Sequence, residues 1–163
     1  MLKNISKNDW QYIFPFLICT FCFAATDLFG FIEKSMFAYW SGALLFEPYR
    51  IITSHFIHAD INHLGANILG IVIARYFLNK LALKNNYFFL LLIFLLIPLQ
   101  SLIFWFFDIF LIGDKMSLAI GFSGVIYGVN SFILLASIYG KKRFLGLKCR
   151  LKKDKTTTKS IFL

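Results

Sequence analysis

Ser123 stands between Gly121-Phe122 and Gly124, where a polar loop gives way to the apolar run Val125 to Tyr139. A hydroxyl in that place is mounted as a nucleophile. Glycine lets the backbone approach a carbonyl closely, and the first turn of a helix leaves N–H groups free to stabilise an oxyanion. A second polar island, His55-Phe56-Ile57-His58 followed by His63 and Asn67, leads into another apolar run and holds all three histidines of the chain. On a helix His63 and Asn67 are four apart, face one way and aim donors into one cavity. Polar groups at membrane depth are expensive unless satisfied, which favours a functional or hydrogen-bonding role. Two rival readings exist. In one, these side chains only hold neighbouring loops, His55 and His58 above all. In the other, His55, His58, Asp60 and His63 bind a metal, but their spacing is irregular and no H-E-x-x-H pair is present. No metal and no cofactor is expected.

The elements that must position these residues follow from composition. With 59% hydrophobic and 15% charged residues and a mean hydropathy of +0.72, the chain is expected to be an all-α integral membrane protein. Four runs are long enough, or nearly so, to cross a hydrocarbon core: residues 12–31, 61–78, 87–107 and 117–139. Pro98, with Gln100 and Ser101 beside it, should kink or break the third. The first is long, and Ala24-Ala25-Thr26 is a poor cleavage site, so a membrane span is preferred there to a signal peptide. The loop 32–60 is aromatic and apolar and suits the membrane interface. Cys19 and Cys22 read as apolar packing rather than a redox pair, and Cys149 lies in the tail.

The net charge of +9 is distributed as an orientation signal and not as a nucleic-acid surface. Fourteen Lys and Arg fall on the side of the N-terminus, nine of them in the tail from Lys141 to Lys159, against Lys34, Arg50 and Lys115 on the other. The positive-inside rule then puts both termini in the cytoplasm and both polar islands on the far side, at the starts of helices that run in the same direction. The basic tail, residues 141–163, reads as a disordered segment resting on anionic headgroups. The preceding residues 1–140 form one membrane domain.

Tyr49-Arg50, then His58-x4-His63-x3-Asn67, then Gly121-x-Ser123-Gly124-x2-Tyr127, in this order and on one side of the membrane, resemble the rhomboid intramembrane serine proteases over roughly residues 10 to 140. The resemblance implies a helical bundle with a water-filled cavity, in a bacterial cytoplasmic membrane, where a serine attacks a peptide bond of a membrane-anchored substrate. It makes Ser123 the nucleophile, and His63 and Asn67 the oxyanion donors together with the Ser123 N–H. Gly121 and Gly124 support the nucleophile and His58 lines the cavity. Tyr127 matches the tyrosine that stacks on the catalytic histidine, and Arg50 the arginine of a Trp-Arg pair whose tryptophan is here Tyr49.

One departure is large. The family has six core helices with its general-base histidine on the sixth, in a pattern like Ala-His-x2-Gly, whereas the four runs here are followed by no histidine. A serine without its base loses several orders of magnitude of rate. The expectation is therefore a truncated chain, or an inactive relative that binds transmembrane segments. Gly124-x3-Gly128 is read as the face that a missing helix would occupy, supplied by another polypeptide.

Overall fold

Within a hydrocarbon layer a peptide group finds no water, so each apolar run satisfies its own backbone as a helix. The computed structural model describes residues 9–81 and 87–138, with 143–144 and 147–148. Among the described residues, Trp10–Leu28, Ile61–Lys80 and Phe88–Ile112 are long and apolar enough to cross a membrane, and Ser123–Ile138 is a shorter apolar helix. The protein is all-α, as the composition implied, apart from pairings of two residues each.

The first helix, α1 (Trp10–Phe23), continues as a π-turn through Leu28. A short helix in the first loop, α2 (Arg50–Thr53), precedes α3 (Ile61–Lys80) and α4 (Phe88–Phe106). One end of the bundle is fastened by polar groups. The Arg75 guanidinium donates to the Asp9 carboxylate at 2.9 and 2.7 Å, and the Gln11 side chain accepts the N–H of Phe89 at 3.0 Å. This last bond occupies one of the donors that the first turn of any helix leaves unpaired.

Pro98 does not break α4. The helix runs unbroken to Phe106 and on as a π-turn to Ile112, because a break in hydrocarbon would strand peptide groups. Gly113, at φ 78°, ends it in the left-handed conformation usual after a helix.

The fourth apolar helix, α5 (Ser123–Ile138), begins at Ser123 and not near residue 117. The preceding residues are diverted into a strand, β2 (Leu118–Ala119), which pairs antiparallel with β1 (Tyr39–Trp40) in the register Tyr39 to Ala119 and Trp40 to Leu118. Gly42 N–H and Trp40 Nε1 both donate to Lys115 O, at 3.0 and 2.9 Å, which extends the stitch between the two loops. At the other end of the sequence, Arg143–Phe144 pairs with Leu147–Lys148. The remainder of the tail, with its expected disorder and Cys149, lies outside the described residues.

In the bundle α5 packs against α3 and α4, and α1 against α3 and α4. The core is made of side chains such as Ile71, Ala74, Ile93, Val125, Val129 and Ala136. The Gly124-x3-Gly128 face is not vacant, contrary to the expectation from spacing. A Cβ on Gly124 would collide with the side chain of Gln100, and one on Gly128 would come within 2.9 Å of Leu96. The two glycines admit α4, a helix of this same chain.

Candidate active site

Asp60 shapes the start of α3. It is extended at φ −155°, and its carboxylate accepts the N–H of His63 at 2.8 Å. This is a side-chain N-cap, and it holds His63 in the first turn with Asn67 one turn further on.

The His63 ring meets the turn that precedes Ser123. A Cβ on Gly121 would stand 2.6 Å from His63 Nε2, and Gly121 has φ +112°, a conformation that L side chains rarely adopt. Its N–H donates to Ser54 O at 2.9 Å. Crowding and backbone conformation thus both require glycine, and Ser123 follows as the first residue of α5.

His55 ties the first loop to α4. Its Nε2 lies 3.1 Å from Ile97 O and 3.0 Å from Ser101 Oγ, while Ser101 Oγ donates to Ile51 O at 3.0 Å. A carbonyl only accepts, so Nε2 carries the proton, and Nδ1 is left as a buried lone pair without a partner among the described residues. His58 has the opposite tautomer: Nδ1–H donates to Phe56 O at 3.1 Å. Its Nε2 is the buried, unpartnered atom, and its ring stands edge-on to His63 with centroids 5.3 Å apart. Burial holds both His55 and His58 down to about 4, so both are neutral at pH 7.

A cavity of about 290 Å³ has Ser123, Gly121, Gly124, Tyr127, His55 and Gln100 among its walls. Its walls do not include His58, His63 or Asn67. Asn67 is buried, its amide nitrogen without a partner among the described residues. Tyr127 presents most of its surface outward, at 72% exposure. Arg50 is distant in role: its guanidinium donates to Glu47, to Ser35 O and to Ala38 O, the last two at 2.7 Å. It lies 5.9 Å from the Trp40 ring and 5.6 Å from the Tyr49 ring. Trp40 therefore supplies a tryptophan beside Arg50 that the adjacent residue Tyr49 does not. Arg50 organises the first loop.

Gln100 was legible in sequence only as a polar interruption of an apolar run. In the structure it fills the space left by Gly124 and faces the cavity, with Oε1 buried and unpartnered among the described residues. The signal that could have found it is the rule that polar side chains at membrane depth face the bundle interior.

These features define a helical integral membrane protein that places a serine at the head of an internal helix, next to a polar cavity. Residues 45–154 match the family model described as Rhomboid domain, and the chain belongs to the rhomboid family. Neither the curated proteins nor the solved structures gave a match.

Proposed function

We propose that Ser123 is the nucleophile of a rhomboid-type intramembrane endopeptidase site, acting on membrane-anchored proteins near the outer boundary of the bilayer. The observation that carries this reading is the placement of Ser123 immediately behind the positive-φ Gly121 turn, with His63 against that turn. The Ser123 hydroxyl attacks the scissile carbonyl. The oxyanion forms at the start of α5, where the first N–H groups of the helix have no intrahelical partner. His63 and Asn67 are the side-chain donors on this reading, and a substrate carbonyl brings them into use. The charge asymmetry supports an orientation with both termini in the cytoplasm.

Attack requires a base, and among the described residues no hydrogen bond joins a histidine to the Ser123 hydroxyl. His55 is committed to Ile97 and Ser101, and His58 is held through Nδ1 by Phe56. His63 is the oxyanion donor. These residues therefore present the nucleophile and oxyanion side of the site, with no histidine paired to the Ser123 hydroxyl among the described residues. A second reading, a non-catalytic protein that binds transmembrane segments, is favoured by the commitment of His55, the histidine of the cavity wall, to Ile97 and Ser101.

Reconstituted chain, with a membrane-anchored reporter as substrate, separates the two. Alone, the chain and its Ser123→Ala variant should cleave at the same background rate. Added imidazole, which supplies a small base, should give cleavage that depends on Ser123. Ser123-dependent turnover without imidazole would mean that a base has been overlooked, and replacing His55, His58 and His63 in turn would find it. No Ser123 dependence with imidazole would support the binding reading.

A further inference from the structure

Most polar side chains on the wall of the Ser123 cavity are already engaged by the protein itself. Tyr39 Oη donates to Asp108 at 2.9 Å, Ser54 Oγ to Arg50 O at 2.7 Å and Ser101 Oγ to Ile51 O at 3.0 Å. His55 is held through Nε2 by Ile97 O and Ser101. Gln100 differs, because its carboxamide makes no hydrogen bond among the described residues. Its Oε1 is buried, so the amide nitrogen is the end that meets the cavity. Gly124, next to Ser123, makes room for this group: an added Cβ would collide with Nε2, Cδ and Oε1 alike. A buried carbonyl oxygen without a partner is a cost to the fold, and an apolar side chain of equal length would pack there without it. What Gln100 adds is a free donor beside Ser123.

The rest of the wall limits what that donor can meet. No Asp, Glu, Lys or Arg lines the cavity, and Phe104, Ala119 and Ile120 give it an apolar side. A charged group would lose its water there without a counter-charge. A purely aliphatic side chain would cover the Gln100 amide and leave it unpaired. A short side chain that carries both a hydroxyl and a methyl group satisfies the two sides at once. We propose that Gln100 is a specificity-determining residue, whose amide donates to the hydroxyl of a threonine or serine near the scissile bond, so that the cavity selects a hydroxyl-bearing substrate residue over its apolar counterpart. The proposal rests on the reading that substrate is presented to Ser123, and it specifies one side chain of that substrate.

The test compares threonine with valine, which fill nearly the same space. A series of membrane-anchored reporters carries one or the other at each position in turn across the outer membrane boundary, and binding to the full chain in vesicles is followed by fluorescence transfer. At one position threonine should bind about three- to tenfold more tightly than valine, the scale of one neutral hydrogen bond. The ratio should fall to about one in Gln100→Met and, independently, in Gly124→Ala, which displaces the carboxamide. A general structural defect weakens both reporters alike and leaves their ratio unchanged, so the ratio reports the contact itself. No threonine preference at any position of the unaltered chain, or a preference that persists in both variants, would overturn the proposal. Gln100→Met should also unfold no more easily than the unaltered chain; lower stability with an unchanged ratio would assign Gln100 to the packing of α4 on α5 and overturn it. The same reporters with added imidazole separate this proposal from the reading beneath it. A threonine preference in binding without Ser123-dependent cleavage would remove the nucleophile and keep Gln100, whereas Ser123-dependent cleavage without the preference would remove Gln100 alone.

Discussion

Replacement of Gly121 by alanine measures how firmly His63 is seated on the turn before Ser123. Two costs add. At φ +112° an L residue is strained, by about 1–2 kcal/mol on the scale of left-handed backbone. The new Cβ also stands 2.6 Å from His63 Nε2, so the ring or the turn must shift, at roughly 1–3 kcal/mol for overpacking. Two other glycines separate these contributions. Gly30, at φ +62° with nothing within 4 Å, reports strain alone, and Gly65, inside α3 and equally open, reports neither. Denaturant unfolding in mixed micelles should give losses of about 2–5 kcal/mol for Gly121→Ala and about 1–2 for Gly30→Ala. Gly65→Ala should be neutral or gain up to about 1 kcal/mol from helix propensity. In Gly121→Ala/His63→Ala the overpacking share should disappear as a coupling energy. If Gly121→Ala costs no more than Gly30→Ala, the contact between His63 and the turn does not exist as described, and the oxyanion assignment of His63 falls with it.

Three further outcomes are expected. Asp60→Ala should cost about 1 kcal/mol through the lost N-cap and speed amide exchange at His63, whereas Asp60→Asn should retain most of both; equal behaviour of the two variants would argue against the cap. His55 and His58, held at about 4 in the folded protein against the usual 6.5, contribute stability that is complete above pH 6.5 and lost as pH falls from there towards 4. The contribution is roughly 3 kcal/mol per histidine at most. Unfolding followed between pH 7 and 4 should show this loss and should show less of it in His55→Gln; a flat profile would contradict the buried neutral state. A reporter active only outside the cytoplasm should be silent when fused after Leu163 and active when inserted in the loop 32–60, and the reverse pattern would refute the orientation argued from charge.

The membrane helices were legible because hydrocarbon leaves an apolar run one way to satisfy its backbone. The start of α5 was not. Leu118-Ala119-Ile120 is as apolar as the helix that follows, and hydrophobicity alone does not separate a short strand from the first turn of a helix. What diverts it is Tyr39-Trp40, nearly eighty residues away. The spacing of Gly124 and Gly128 announced a close approach without naming the neighbour, and α4 supplies it through Gln100 and Leu96. The motif grouped His63 with Ser123, but their common contact is a backbone turn whose φ no residue count reveals. Arg50 shows the same limit: its place beside an aromatic residue could be read from Tyr49, whereas the role of Trp40 required the folded loop.

The stitch between β1 and β2 also sets an order of events during synthesis. Tyr39 and Trp40 leave the ribosome long before Leu118 and Ala119, and two membrane crossings, α3 and α4, separate them. Each crossing can insert as an independent helix on a local timescale, but the pairing has to wait for both. Gly121 then receives Ser54 as its acceptor only when the first loop is already in place. Ser123 thus takes its place at the head of α5 only after the first loop, α3 and α4 are seated, and until that moment the turn ahead of it has no acceptor for the Gly121 N–H.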